Sequence, residues 1–235
     1  HGNWQQSEAL EFQKKVALHL KKSAVIEDLK RPLFEITKVT RYELELACSD
    51  NAMVIYYQAL SDDVDEKVKM MALNHLINQD YFNELRTTQQ LGYLVGAGYA
   101  PFNTRAGIAF YIQSPKFEPS MLLHRHNVFI SQYLSTIDEL TEQAWLQQKY
   151  GLTTHIAEKD KNLRLRSQRL WLAIGNGDHQ FNMQQRLLDS LNALTLEDAK
   201  AYAAEIFDAD RPRYELLSAK SVNQPKNLPL YSHSL

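Results

Sequence analysis

The chain reads as an α+β domain in which a mostly antiparallel sheet of about five to six strands packs against a block of helices. Two observations predict this class. Short strand-like segments crowd the first half, and from Pro119 onward the pattern is almost wholly helical until one last strand-like stretch. Strands followed by a run of helices, rather than strict alternation, indicate α+β. At 235 residues and 44% hydrophobic content, the chain is long enough to bury a full core. The expected organisation is a single domain over 1–220 with a polar tail over 221–235 that carries two prolines.

Ser7 to about Lys22 has the period of an amphipathic helix, with Leu10, Val16, Ala17 and Leu20 near one face. Lys30-Arg31-Pro32 ends that region, because proline disfavours helix in the residue before it. Leu33–Thr37, Arg41–Ala47 and Met53–Ala59 read as strands. In the second, Tyr42, Leu44 and Leu46 alternate with Arg41, Glu43 and Glu45, the period of a half-buried strand. Ser49-Asp50-Asn51 is turn chemistry and predicts a hairpin. Asp63 with Glu66 has the spacing of a capping box for a helix to about Asn78. A short second helix follows from about Tyr81 to Leu91, with Gly92 as its stop. Tyr93–Tyr99 and Gly107–Gln113 predict a second hairpin, and Gly92, Gly96, Gly98 and Gly107 suggest close backbone approach along it.

Helices are expected near 119–136, 141–158, 161–174, 179–193 and 196–207. Thr195 and Asp198 are spaced to cap the last, and Gly175-Asn176-Gly177 is a stop. Tyr214–Ser218 reads as the final strand.

A net charge of −2 offers no broad basic surface, which argues against nucleic acid. No apolar run approaches the roughly 20 residues of a membrane helix. The first residues resemble no signal peptide, and the absence of an initiator methionine suggests a fragment or a processed chain. The lone Cys48 excludes an internal disulfide and reads as a small buried hydrophobe in a strand.

Eight histidines invite a metal reading. HExxH does not occur, and the nearest approach to HxxEH is His155-Ile-Ala-Glu158-Lys159, with lysine in place of the second histidine. A catalytic zinc wants three protein ligands, which this stretch does not supply. His124 and His126 are two apart and point about 200° apart on a helix, so they read as a solvated face. His75, among Met71, Ala72, Leu76 and Ile77, reads as a satisfied core histidine. No metal site and no cofactor are predicted in this chain. No GxSxG elbow occurs, and no glycine-rich phosphate cradle. Ser61 to Glu66 lacks the glycine and closing glutamate of a calcium loop, so helix capping is the better reading. Lys161, Arg164, Arg166 and Arg169 form a basic stripe that reads as a solvated face.

Phe82, Arg86 and Tyr93 remain. Phe82 and Arg86 are four apart and share a helix face, and Tyr93 emerges just past Gly92. Such a junction would deliver a guanidinium and a phenol to one place, suited to a peptide carbonyl and a developing oxyanion. Pairing of Arg86 with Glu84 and burial of Tyr93 is the structural alternative.

The stretch Phe82-Asn83, Leu85-Arg86-Thr87, Gln90-Leu91-Gly92-Tyr93 resembles the last domain of the pitrilysin and insulin-degrading enzyme (insulinase, inverzincin) family of zinc metallopeptidases. His1-Gly2-Asn3, Tyr56-Tyr57-Gln58 and Gln113-Ser114 resemble neighbouring features of that domain. The resemblance implies a fourth, non-catalytic domain among four similar domains that close around a chamber. It implies Zn2+ in the N-terminal domain of the parent enzyme and none here, so this fragment alone is expected to be inactive. It implies that Arg86 binds the substrate backbone, that Tyr93 donates to the tetrahedral oxyanion, and that Phe82 lines the pocket. The partners implied are the N-terminal catalytic half of the same polypeptide and peptide substrates, with no nucleic acid and no membrane. A soluble location is expected: periplasmic if pitrilysin-like, cytosolic if like insulin-degrading enzyme. The alternatives are an inactive scaffold or partner subunit of the same fold, and a peptide-binding module.

Overall fold

The computed structural model describes residues 4–20 and 33–220. The expected end of the first helix at Lys22, the break at Lys30-Arg31-Pro32, His1-Gly2-Asn3 and the tail 221–235 lie outside the described residues. Contacts group the described residues into two units, 4–20 and 33 with 158–183, and 34–157 with 184–220. A single domain over 1–220 stays a proposal beside this division.

The larger unit carries the sheet. Its strands are β1 (Thr40–Leu46), β2 (Asn51–Gln58), β3 (Leu94–Tyr99), β4 (Gly107–Ser114) and β5 (Arg213–Lys220). They lie in the order β1-β5-β2-β4-β3, antiparallel throughout except for the parallel β1–β5 pair. This is the mostly antiparallel α+β sheet that the sequence predicts.

Three local expectations fail, the first two for a tertiary reason. The Ser49-Asp50-Asn51 turn does not close a β1–β2 hairpin, because β5 inserts between the two strands. Arg41 lies in register with Glu215, and its guanidinium bonds the buried carboxylate at 2.8 Å while Arg213 takes the other oxygen. The side chain of Asn51 is fully buried and holds the other end of β5, accepting from the Lys220 amide at 2.7 Å. Residues 33–37 form no strand. Instead the Gln58 side chain binds their backbone, accepting from Ile36 N and donating to Phe34 O. Cys48, expected in a buried strand position, lies past the end of β1 and is exposed.

The helices of this unit are α2 (Val64–Phe82), α3 (Pro119–Asp138), α4 (Glu142–Ile156), α6 (Met183–Ala193) and α7 (Leu196–Ile206). Burial explains their order. Inward residues Met53, Ile55 and Tyr57 of β2 and Ile108, Phe110 and Ile112 of β4 meet Leu73, Ile77 and Tyr81 of α2 and Phe129 of α3. A second cluster joins α2, α4, α6 and α7 through Val68, Trp145, Leu152, Leu191 and Ala199. The smaller unit holds α1 (Gln6–Leu20) and α5 (Leu163–Gly175), neither of which buries a residue.

Asp63 begins α2 but makes no side-chain cap, so the expected capping box does not form. Glu66 is drawn inward, accepting from Tyr202 Oη at 3.1 Å and from Leu60 N at 3.2 Å. The Thr195/Asp198 box does form. The histidines divide as well. His124 is exposed, but His126 is fully buried in α3, where it shares a 3.2 Å hydrogen bond with Tyr81. Solvation of His126 is therefore corrected: its position on α3 coincides with the buried stripe of Leu122, Leu123, Phe129 and Ile130. Burial first, then the charge of Arg213, pushes its pKa down to about 3.

Candidate functional site at the end of helix α2

The helix expected to begin anew near Tyr81 does not. α2 runs without a break into a π-helical turn, Asn83–Thr88, closed by the hydrogen bond from Gln89 N to Glu84 O. π-Helical turns inside α-helices often mark functional sites. Leu85 and Leu91 anchor the turn in the core. The residue with left-handed backbone is Gln90, at φ 52°, not Gly92. Gly92 serves a different purpose: a Cβ there would collide with the Gln113 carbonyl, so glycine lets the chain run tight against β4. Tyr93 is delivered beside the Gln113 side chain as a result.

The structure brings Phe82, Arg86 and Tyr93 together. The Arg86 guanidinium lies 5.0 Å from the centroid of the Phe82 ring, and its Nε donates to the Tyr93 carbonyl at 3.0 Å. Arg86 is exposed, and its two terminal nitrogens have no hydrogen-bond partner among the described residues. It does not pair with Glu84, which instead accepts from Gln89 at 2.9 Å. Tyr93 is 62% exposed, which excludes the core alternative.

Two further residues complete the cluster. Gln113 Nε2 donates to Tyr93 Oη at 3.1 Å and to Asp50 Oδ2 at 2.9 Å. Gln113 lies opposite Ala52 and Leu94 and alternates with the inward Ile112, so it faces away from the helix-covered side of the sheet. Sequence reasoning read Asp50 as turn chemistry and Gln113 as a strand end. The local signal was a turn residue for Asp50 and a polar residue at an outward strand position for Gln113.

The other candidates do not assemble. His75 is half-buried, and its pKa is lowered by burial and then by the charge of exposed His155. Among the described residues no three His, Cys, Asp or Glu side chains are grouped as metal ligands would be. The described side chains of this chain therefore offer no ligand set for a zinc ion. Arg169 of the basic stripe is engaged by Asp160, with contacts of 2.7–3.1 Å. Lys161 pairs with Glu158 at 2.9 Å. No helix among the described residues is long and apolar enough to cross a membrane.

The chain is similar to known proteins. Residues 72–171 match the family described as PQQ synthase PqqF-like, C-terminal lobe domain 4. Human insulin-degrading enzyme is 30% identical over 164 residues, which is 70% of this chain and 16% of that protein. The solved structure of pitrilysin superposes with a TM-score of 0.79 at 19% identity, over 95% of this chain and 24% of that one. The chain is similar to the C-terminal domains of insulinase-family peptidases.

The peptidase M16 inactive domain from Pseudomonas fluorescens has the same fold, with a TM-score of 0.67 at 17% identity, over 96% of this chain and 53% of that one. The chain spans about a sixth of the length of the curated insulinase relatives it matches. The PqqF-like match to residues 72–171 contains α2 from its middle onward, the π-helical turn and the whole Tyr93–Gln113 hairpin.

Proposed function

We propose that this domain supplies Arg86 and Tyr93 to the active site of a zinc metalloendopeptidase that degrades peptides in a closed chamber, the zinc being held by another domain. The observation that carries the reading is the pairing itself. Arg86 spends one nitrogen on the Tyr93 backbone and keeps two toward solvent, beside an exposed phenol. A guanidinium fork suits a peptide carbonyl, because it offers planar, fixed donors that stay charged at any working pH. A phenol O–H suits the oxyanion that appears as the carbonyl becomes tetrahedral. Donors preorganised for charge that develops in the transition state contribute more to rate than to substrate binding. Zinc in the other half would polarise the carbonyl and activate water. The Phe82 ring lies under the Arg86 guanidinium and forms an apolar wall beside it. Placing these donors on a separate domain makes the site complete only when the halves close, so catalysis is tied to capture of the peptide.

The test is hydrolysis of a quenched fluorogenic peptide by this chain, by the upstream half, and by the two mixed, with and without a chelator. Activity confined to the mixture and abolished by chelator is the expected result. Activity of this chain alone would overturn the reading. The second reading is an inactive scaffold of the same fold, favoured by the likeness to the Pseudomonas fluorescens inactive domain. A mixture that associates yet hydrolyses nothing would support it.

A further inference from the structure

The hydrogen bonds around Tyr93 settle more than its location. Gln113 Nε2 carries two hydrogens, and both are committed: one to Asp50 Oδ2 at 2.9 Å, the other to Tyr93 Oη at 3.1 Å. Asp50 fixes which way the amide faces. A carboxylate is an acceptor, so the opposite amide orientation would set Gln113 Oε1 against Asp50 Oδ2, oxygen to oxygen. Asp50 is itself 92% buried, so its carboxylate gains more from that donor than a solvated one would. With its lone pair occupied by Gln113, the Tyr93 hydroxyl must direct its own hydrogen elsewhere, and its other side is open to solvent. Arg86 holds the same residue from its backbone end through the 3.0 Å bond to the Tyr93 carbonyl.

We infer that Gln113, oriented by Asp50, is a positioning residue that turns the Tyr93 hydroxyl into an outward-facing donor. The inference rests on the oxyanion role proposed for Tyr93 and deepens it. A phenol without this partner can rotate its O–H and donate to water or to a nearby carbonyl. Part of its stabilisation is then lost to reorganisation at the moment charge develops. Gly92 belongs to the same device, since only its missing side chain lets Tyr93 reach Gln113.

The test uses the intact parent enzyme carrying Gln113→Met, Tyr93→Phe and both together. Gln113→Met is expected to lower kcat roughly 10-fold, the scale of losing an orienting partner, with KM within about twofold. In the Tyr93→Phe background it should cause no further loss, because the group that it positions is gone. Affinity for a phosphinic peptide, a tetrahedral anion, should fall by the same factor as kcat. Affinity for an uncleavable substrate-like peptide should not move. The urea denaturation midpoint of each variant guards against a folding artefact: the loss of kcat is expected in protein that is still fully folded under the assay conditions. Unchanged kcat in folded Gln113→Met, or losses that multiply in the double variant, would overturn the inference while leaving Tyr93 in place. Normal kcat in Tyr93→Phe alone would instead remove the oxyanion reading, and this inference with it.

Discussion

Two tyrosines twelve residues apart, one on α2 and one just beyond it, face opposite fates. Tyr81 is fully buried, and its hydroxyl meets His126 across the core while its ring packs at 4.9 Å on Phe110 and 5.1 Å on Phe129. Burial raises its pKa well above the ordinary phenol range. Tyr93 is mostly exposed, with its hydroxyl held by Gln113 and its backbone by Arg86. Both phenols are hydrogen-bonded, so a polar partner does not by itself mark a functional group. What separates them is an open side: the Tyr81 hydroxyl is enclosed in the core with His126, whereas Tyr93 is held on one side and left free on the other.

That contrast can be broken from either end. The largest expected effect is on catalysis: Tyr93→Phe in the intact enzyme should lower kcat by roughly 10²–10³ with unchanged zinc content. Tyr81→Phe should do the reverse. It leaves the buried His126 Nδ1 without its partner and should cost about 1–3 kcal/mol of stability by urea denaturation, with normal kcat.

A smaller effect follows from His126. Its folded pKa of about 3 lies below the ordinary 6.5, so below pH 6.5 the unfolded chain binds a proton that the folded chain refuses. Stability from this group is complete above pH 6.5 and is lost as pH falls from 6.5 towards 3, at a slope of up to about 1.4 kcal/mol per pH unit. His126→Leu should flatten the acid limb by one proton's worth, measured as denaturation midpoints between pH 7 and pH 4. An identical slope in that variant would place the titrating group elsewhere. The smallest effect closes the comparison: Tyr93→Phe should shift folding stability by no more than about 0.5 kcal/mol, as expected for an exposed position.

The two capping signatures show how far local reading reaches. Thr195/Asp198 and Asp63/Glu66 have the same spacing, yet only the first closes into a box. Asp198 has no competing partner in the interior, whereas Glu66 meets the Tyr202 hydroxyl from α7 and the Leu60 amide. The same division runs through the site. The spacing of Phe82 and Arg86 and the emergence of Tyr93 after a glycine were legible, because they are set within one turn and one bend of chain. The π-helical turn, the left-handed Gln90 and the Gln113–Asp50 bonds were not, because each depends on β4 lying against that bend.

Periodicity and composition by themselves determined the α+β class, the run of helices after Pro119 and the second hairpin, whereas Phe82, Arg86 and Tyr93 were singled out by the motif that carries them. These follow from interactions between residues near in sequence, where each side chain's direction is fixed by the helix or strand it occupies. Only the tertiary structure decided that β5 parts β1 from β2, that His126 is core, and that Gln113 holds Tyr93. Strand order and hydroxyl direction depend on groups far apart in the chain, such as Arg41 with Glu215 and Asp50 with Gln113, whose meeting no local pattern records.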